Sequence, residues 1–242
     1  MRDRVEAVGR DMVRPIEHIK NKGISGAIVF WGSARIPSPE EAAKMLTDKA
    51  INGDAMQKVA DMSKYYKYAE ELSFKLAKWC DSSFDKANRC VICSGGGGGI
   101  MAAANTGAAL AGCETIGLNI KIPSEQKINP YVSDGLSMEF EYFMPRKFWF
   151  MYLAKAIIIF PGGFGTLDET FEALVLIQTG RQRTKLPLVL FGSQFWKNLI
   201  NFDLLCDSGL VEPEAMNSLH FSDTVADSFD FVTKNIEKNI CE

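Results

Sequence analysis

Residues 89–112 read RCVICSGGGGGIMAAANTGAALAG. A β-favouring apolar run, 89–94, meets five consecutive glycines, and an alanine-rich stretch follows from residue 99 onward. That order predicts strand, tight loop and helix, the opening of a βαβ unit. Working outward, similar strand-like runs occur at GAIVFWG (26–32), ETIGLNI (114–120), SMEFEYF (137–143), KAIIIF (155–160) and LPLVLF (186–191). Several are apolar throughout rather than alternating, as required of parallel strands covered on both faces. Helical patterns fall between them, near 5–20, 39–47, 56–80, 99–112, 145–154, 166–180, 193–205 and 223–239. The alternation predicts an α/β protein: one domain built on a doubly wound, mostly parallel sheet with helices on both faces. Residues 1–22 are expected to form a helical extension, and 23–242 the domain itself. Ser38-Pro39-Glu40-Glu41 has the makings of a helix start, with Ser38 as cap and Glu41 completing a capping box. The segment TDKAINGDAM (47–56) breaks the helical pattern and is expected to be a turn or insertion.

The chain has 242 residues, 47% hydrophobic and 24% charged, with a formal net charge of −3. That balance suits a globular domain with a sizeable core and argues against a nucleic-acid surface held by bulk positive charge. No run approaches the ~20 apolar residues needed to span a bilayer. The charged N-terminal stretch has no apolar signal core, so a cytoplasmic protein is expected. Six cysteines at 80, 90, 93, 113, 206 and 241 are too sparse for a disulfide scaffold and read as reduced thiols. Cys90 and Cys93 have metal-ligand spacing, but three-residue spacing on a strand points side chains to opposite faces, and no second pair accompanies them.

Five glycines, Gly95, Gly96, Gly97, Gly98 and Gly99, forgo all side-chain packing. Such a loop makes sense where backbone must approach a ligand closely, and the helix start behind it adds partial positive charge suited to phosphate. A flexible turn is the plainer alternative. Gly95 and Gly97 fit the opening of a dinucleotide fingerprint, but its third glycine falls on Ile100. Asn119 and Lys121 stand where a ribose-binding acid would end the next strand. No Gly-Lys-Ser/Thr follows for a nucleoside triphosphate. A monophosphate fits better.

A second strand–loop–helix junction, Pro161-Gly162-Gly163-Phe164-Gly165-Thr166-Leu167-Asp168-Glu169, follows the run at 155–160. Gly32-Ser33-Ala34-Arg35 follows the first strand. In a parallel sheet all three loops leave at the carboxyl edge, so a shared pocket is expected there. Thr166-x-x-Glu169 is also a capping box, and spacing alone does not separate a cap from a catalytic acid. Arg146 and Lys147 open the helix at 145–154, where two cations oppose the helix dipole. Either they are solvated, or they face the anion pocket. His18 and His220 have no partner pattern. The run Phe148-Trp149-Phe150 and the apolar face of 170–180 read as core, with surface to spare for a second subunit.

With these residues placed, the chain resembles the LONELY GUY family, often labelled as lysine decarboxylases, within a wider Rossmann-like nucleotide-binding superfamily. The resemblance spans about residues 25–205 and rests on GSAR (32–35), SGGGGGIMAAANTGA (94–108), Arg146-Lys147 and PGGFGTLDE (161–169). It implies a phosphoribohydrolase that splits the N-glycosidic bond of nucleoside 5′-monophosphates such as AMP or cytokinin riboside monophosphates. The products are free base and ribose 5-phosphate, and no cofactor or metal is required. Arg146 and Glu169 would be the catalytic pair. Ser33, the glycines at 95–99, Lys147 and the 162–166 loop (Gly162, Gly163, Phe164, Gly165, Thr166) would hold the substrate phosphate. A homodimer with pockets near the subunit boundary is implied as well. Two positions depart from the family: Ala102 stands where a glutamate is frequent, and Gly98 where a proline is frequent. The decarboxylase label conflicts with the residues, since that chemistry needs a Schiff-base lysine and an electron-sink cofactor site. A competing expectation from the same superfamily is a non-catalytic nucleotide sensor or molybdenum-cofactor carrier.

Overall fold

A computed structural model describes residues 2–47, 54–122, 127–181 and 186–241. The turn or insertion expected at 47–56 lies mostly outside these residues. Strands β1 (Ile24–Trp31), β2 (Arg89–Ser94), β3 (Thr115–Ile120), β4 (Ser137–Phe140), β5 (Ala154–Ile159), β6 (Leu188–Phe191) and β7 (Leu219–Ser222) form one sheet. The order is β4-β3-β2-β1-β5-β6-β7, and every pairing is parallel. The sheet therefore grows one way from β1 through β2 to β4, then returns and grows the other way from β5. Its topological switch point lies between β1 and β5, and a crevice opens beyond their carboxyl ends.

The continuous apolar runs have the expected cause. On β1, Ala27, Val29 and Trp31 face one core layer while Ile28 and Phe30 face the other. The first layer is covered by α1 (Arg2–Asn21), α6 (Phe143–Leu153), α7 (Phe164–Gln178), α8 (Ser193–Leu199) and α9 (Phe202–Asp207). The second is covered by α4 (Ser63–Ser83), α5 (Ile100–Leu110) and α10 (Val225–Cys241). The helix α5 is small-sided so that α4 can lie close to it: a methyl at Gly107 would come within 2.2 Å of the Glu70 carbonyl oxygen.

Helices α2 (Pro39–Thr47) and α3 (Asp54–Asp61) complete the chain order. The predicted capping box is formed, with Glu41 N–H donating to Ser38 Oγ at 3.2 Å and Ser38 N–H donating to Glu41 Oε2 at 2.8 Å. The expected helix at 193–205 is divided in two. Asn201 accepts from the Leu204 N–H at 3.0 Å and so starts α9 anew. Strand β7 went unpredicted, because its four residues include His220 and Ser222 and carry no apolar run. Cys90 and Cys93 do face opposite layers. Burial holds the Cys93 thiol well above its ordinary pKa, so it stays protonated.

Candidate functional site

The loops after β1 and β5 face each other across the switch point and enclose a cavity of about 660 Å³, within the range of small-ligand sites. Gly32–Arg35 form one side and Gly162–Leu167 the other, with Arg146 and Glu169 in the wall. Apolar side chains that include Ile120, Ile122, Phe143 and Phe195 complete it.

The two glycine loops turn out to be glycine-rich for different reasons. In the 95–99 loop the fold itself demands it. A methyl on Gly95 would lie 2.5 Å from Arg146 Nη2 and from Met101 Sδ, and Gly99 has φ +59° with the Ser33 carbonyl oxygen 2.3 Å from a would-be Cβ. The Gly96 N–H donates to Ser94 Oγ, and the carbonyls of Gly96 and Gly97 accept from Asn129. Gly98 is the exposed member. None of the five glycines lines the cavity; their part is to seat Arg146 and to start α5. Gly95, Gly96, Gly97, Gly98 and Gly99 were expected to cradle phosphate in the shared pocket; β2 stands one strand away from the switch point, and of these glycines Gly98 and Gly99 come nearest the cavity, beside the lining residues Ala34 and Ser33.

In the second loop, a methyl at Gly163 or Gly165 would meet nothing within 4 Å. Packing does not ask for glycine there, but a ligand laid against the backbone would. Gly162 differs, being pressed under the Thr166 side chain. Helix α7 begins after Gly163 with no side-chain cap, so the N–H groups of its first turn lack intrahelical acceptors and border the cavity. A fifteen-residue helix adds its dipole to those amides. Such a helix start is suited to an anion.

Glu169 does not cap anything. Thr166 lies inside α7, and the Glu169 carboxylate reaches across to Arg146, with Nη1 to Oε1 at 3.3 Å. The pair is nearly buried, the side chains being 9% and 12% exposed. Arg146 Nε donates to the Leu118 carbonyl at 2.7 Å, and the guanidinium lies over the Phe150 ring. It is thus fixed on three sides. Burial pushes the Glu169 carboxyl up to about 7, against the opposing pull of Arg146. An acid so placed exchanges its proton near neutrality, as general acid–base groups do.

Lys147 sits elsewhere. Its Nζ lies 3.1 Å from Asp168 Oδ2 and 2.7 Å from Glu172 Oε2, tying α6 to α7 outside the cavity lining. Lys147 was expected to serve the phosphate; here it is engaged by Asp168 and Glu172, because adjacent helical residues point about 100° apart and Arg146 takes the direction of the crevice. Ser33 lines the cavity, its Oγ accepting from the Arg35 N–H at 3.0 Å. Sequence reasoning gave no role to Arg35, an exposed cation at the same rim. It also missed Gly95 as the seat of Arg146, and the apolar wall. Phe143 had been read as strand, and no local pattern reveals which side of α8 would present Phe195 to a crevice formed 160 residues earlier.

An open α/β sheet with an uncapped helix start at its switch point defines the class: a Rossmann-like protein with a crevice at the carboxyl edge of its sheet. The family described as "Possible lysine decarboxylase" matches residues 101–232, more than half of the chain, and this chain belongs to that family, the one carrying the LONELY GUY resemblance. No curated protein matches it significantly. Among solved structures, the X-ray structure of a structural-genomics consortium target is 18% identical, with a TM-score of 0.53 over 86% of this chain and 99% of that one. The molybdenum cofactor carrier protein of Chlamydomonas reinhardtii is 21% identical, with a TM-score of 0.53 over 88% and 99%. At such identities the likeness establishes the fold.

Proposed function

We propose that this protein hydrolyses the N-glycosidic bond of a purine-type nucleoside 5′-monophosphate, AMP or a cytokinin riboside 5′-monophosphate, yielding free base and ribose 5-phosphate. The observation that carries the reading is the buried Arg146–Glu169 pair beside the uncapped start of α7 in one cavity. The amides at 164–166 would bind the 5′-phosphate, with Arg35 and Ser33 across the cleft. The ribose then lies toward Arg146 and Glu169, and the planar base against the apolar wall. As the C1′–N bond breaks, the ribose gains oxocarbenium character. Ionised Glu169 stabilises that cation and orients the attacking water, while Arg146 holds the carboxylate and the sugar in register.

The decarboxylase description finds no support in the side chains. Among the described residues no lysine lines the cavity, so the Schiff-base partner that pyridoxal chemistry needs is missing from it. A non-catalytic carrier or sensor is the competing reading, and likeness to a cofactor carrier lends it the shared fold. What favours hydrolysis is the buried Arg146–Glu169 pair in the cavity wall, a charged acid held beside the place of the sugar. Incubation with AMP, GMP, CMP and IMP, with chromatography of the products, separates the two. Release of base supports hydrolysis; tight binding of a phosphorylated ligand without release supports the carrier.

We further propose a homodimer. Met144, Phe148 and Tyr152 recur at four-residue spacing along α6, each about half exposed or more, and Phe164 at the cavity mouth is 91% exposed. The proposed compartment remains the cytoplasm; among the described residues no helix is long and apolar enough to cross a membrane.

A further inference from the structure

Asp11 is 3% exposed in the middle of α1, yet it belongs to no cavity wall described above. Its Oδ2 accepts the N–H of Glu141 at 2.8 Å and that of Tyr142 at 3.2 Å. Tyr142 is the N-cap residue of α6, a helix with no side-chain cap of its own. The cap therefore comes from a carboxylate 130 residues away in sequence. Arg14 reinforces it, 3.6 Å from Asp11 Oδ1 and donating to the Glu139 carbonyl. Arg146 is the fourth residue of α6 and Lys147 the fifth, two cations in the turn where the helix dipole is positive. A buried anion at that end offsets them, and it anchors the turn from which the Arg146 side chain departs.

We infer that Asp11 is a positioning residue for Arg146: α1 pins the start of α6 and so sets where the guanidinium meets Glu169. The inference rests on the proposed roles of Arg146 and Glu169. Its structural half, that Asp11 holds the two together, is open to measurement without turnover.

The test uses full-length Asp11→Ala, Asp11→Asn and Trp149→Phe beside the wild type. There are two readouts: steady-state kinetics with AMP, giving kcat and KM, and the titration of the Glu169 carboxyl by carbon NMR. The charged groups facing that carboxyl are Arg146, Asp168, Lys147 and Glu172. Asp11→Ala should lower kcat about tenfold with KM within about twofold, the pattern of a misplaced catalytic group. It should also move the Glu169 midpoint upward, because Arg146 no longer opposes burial there. Asp11→Asn keeps an acceptor oxygen and should recover most of kcat, to within roughly threefold of wild type. Trp149→Phe removes a different tie between α1 and α6, the Nε1–Met12 carbonyl bond of 3.2 Å, and should change neither readout. Wild-type kcat and midpoint in Asp11→Ala would overturn the inference, as would Trp149→Phe reproducing its losses. Should Asp11→Ala fail to fold, Asp11→Leu, which also lacks the acceptor oxygen but fills the site, takes its place: a lowered kcat and a raised midpoint support the inference, and wild-type behaviour in both readouts overturns it. If the wild type releases base from no nucleotide, the hydrolase reading fails by itself, and the NMR midpoints alone decide about Asp11.

Discussion

Arg146 Nη1 lies 3.3 Å from Glu169 Oε1, joining the start of α6 to the second turn of α7. The two helices are successive, joined through β5, and both cover the same face of the sheet. Replacing the carboxylate with its amide preserves shape and removes the charge. Glu169→Gln should keep nucleotide binding within a few-fold and lower turnover by at least ~10²-fold, the contribution of one positioned acid–base group. Calorimetric binding beside steady-state kinetics checks this.

The same carboxyl fixes a pH dependence. With its midpoint raised to about 7, ionised Glu169 accumulates only as pH rises through neutrality. The acidic limb of kcat/KM should therefore have its midpoint near 7 and disappear in any residual activity of Glu169→Gln.

Stability should follow the opposite course. Between the ordinary value of 4.5 and about 7 the folded protein holds a proton that the unfolded chain has released. Raising pH through that window therefore destabilises the native state, with a slope limit of about 1.4 kcal/mol per unit. Denaturant unfolding of wild type and Glu169→Gln from pH 4 to 8 should show the wild type losing ground by about 2–3 kcal/mol as pH rises.

Gly95 offers a test of the Arg146 seat. A methyl there would lie 2.5 Å from Nη2, while one on Gly98 meets only the Ala34 carbonyl at 3.5 Å. Gly95→Ala should lower kcat about tenfold or more and destabilise by about 1–3 kcal/mol, as overpacking does. Gly98→Ala should leave kcat unchanged.

Much of this was legible in the chain. The runs at 26–32, 89–94 and 155–160 are apolar on both faces because both faces are buried, and that property alone announces parallel strands. Arg146 and Glu169 stood out through motifs, although spacing left Glu169 divided between cap and catalyst until the N-cap of α7 was found at Gly163. Lys147 and the 95–99 glycines show what spacing leaves open. Which direction a helical neighbour points, and which loop borders the switch point, are set by strand order, and strand order is not a local property. Asp11 illustrates the limit most sharply: a polar residue among others on an amphipathic helix, it acquires meaning only when residues 141–142 arrive beside it.

The central claim is tested most directly by incubating wild type and Glu169→Gln with AMP and quantifying adenine and ribose 5-phosphate together. The account predicts equimolar release of both by the wild type and almost none by the variant. Intact AMP with the wild type, or equal release by the two proteins, would contradict it.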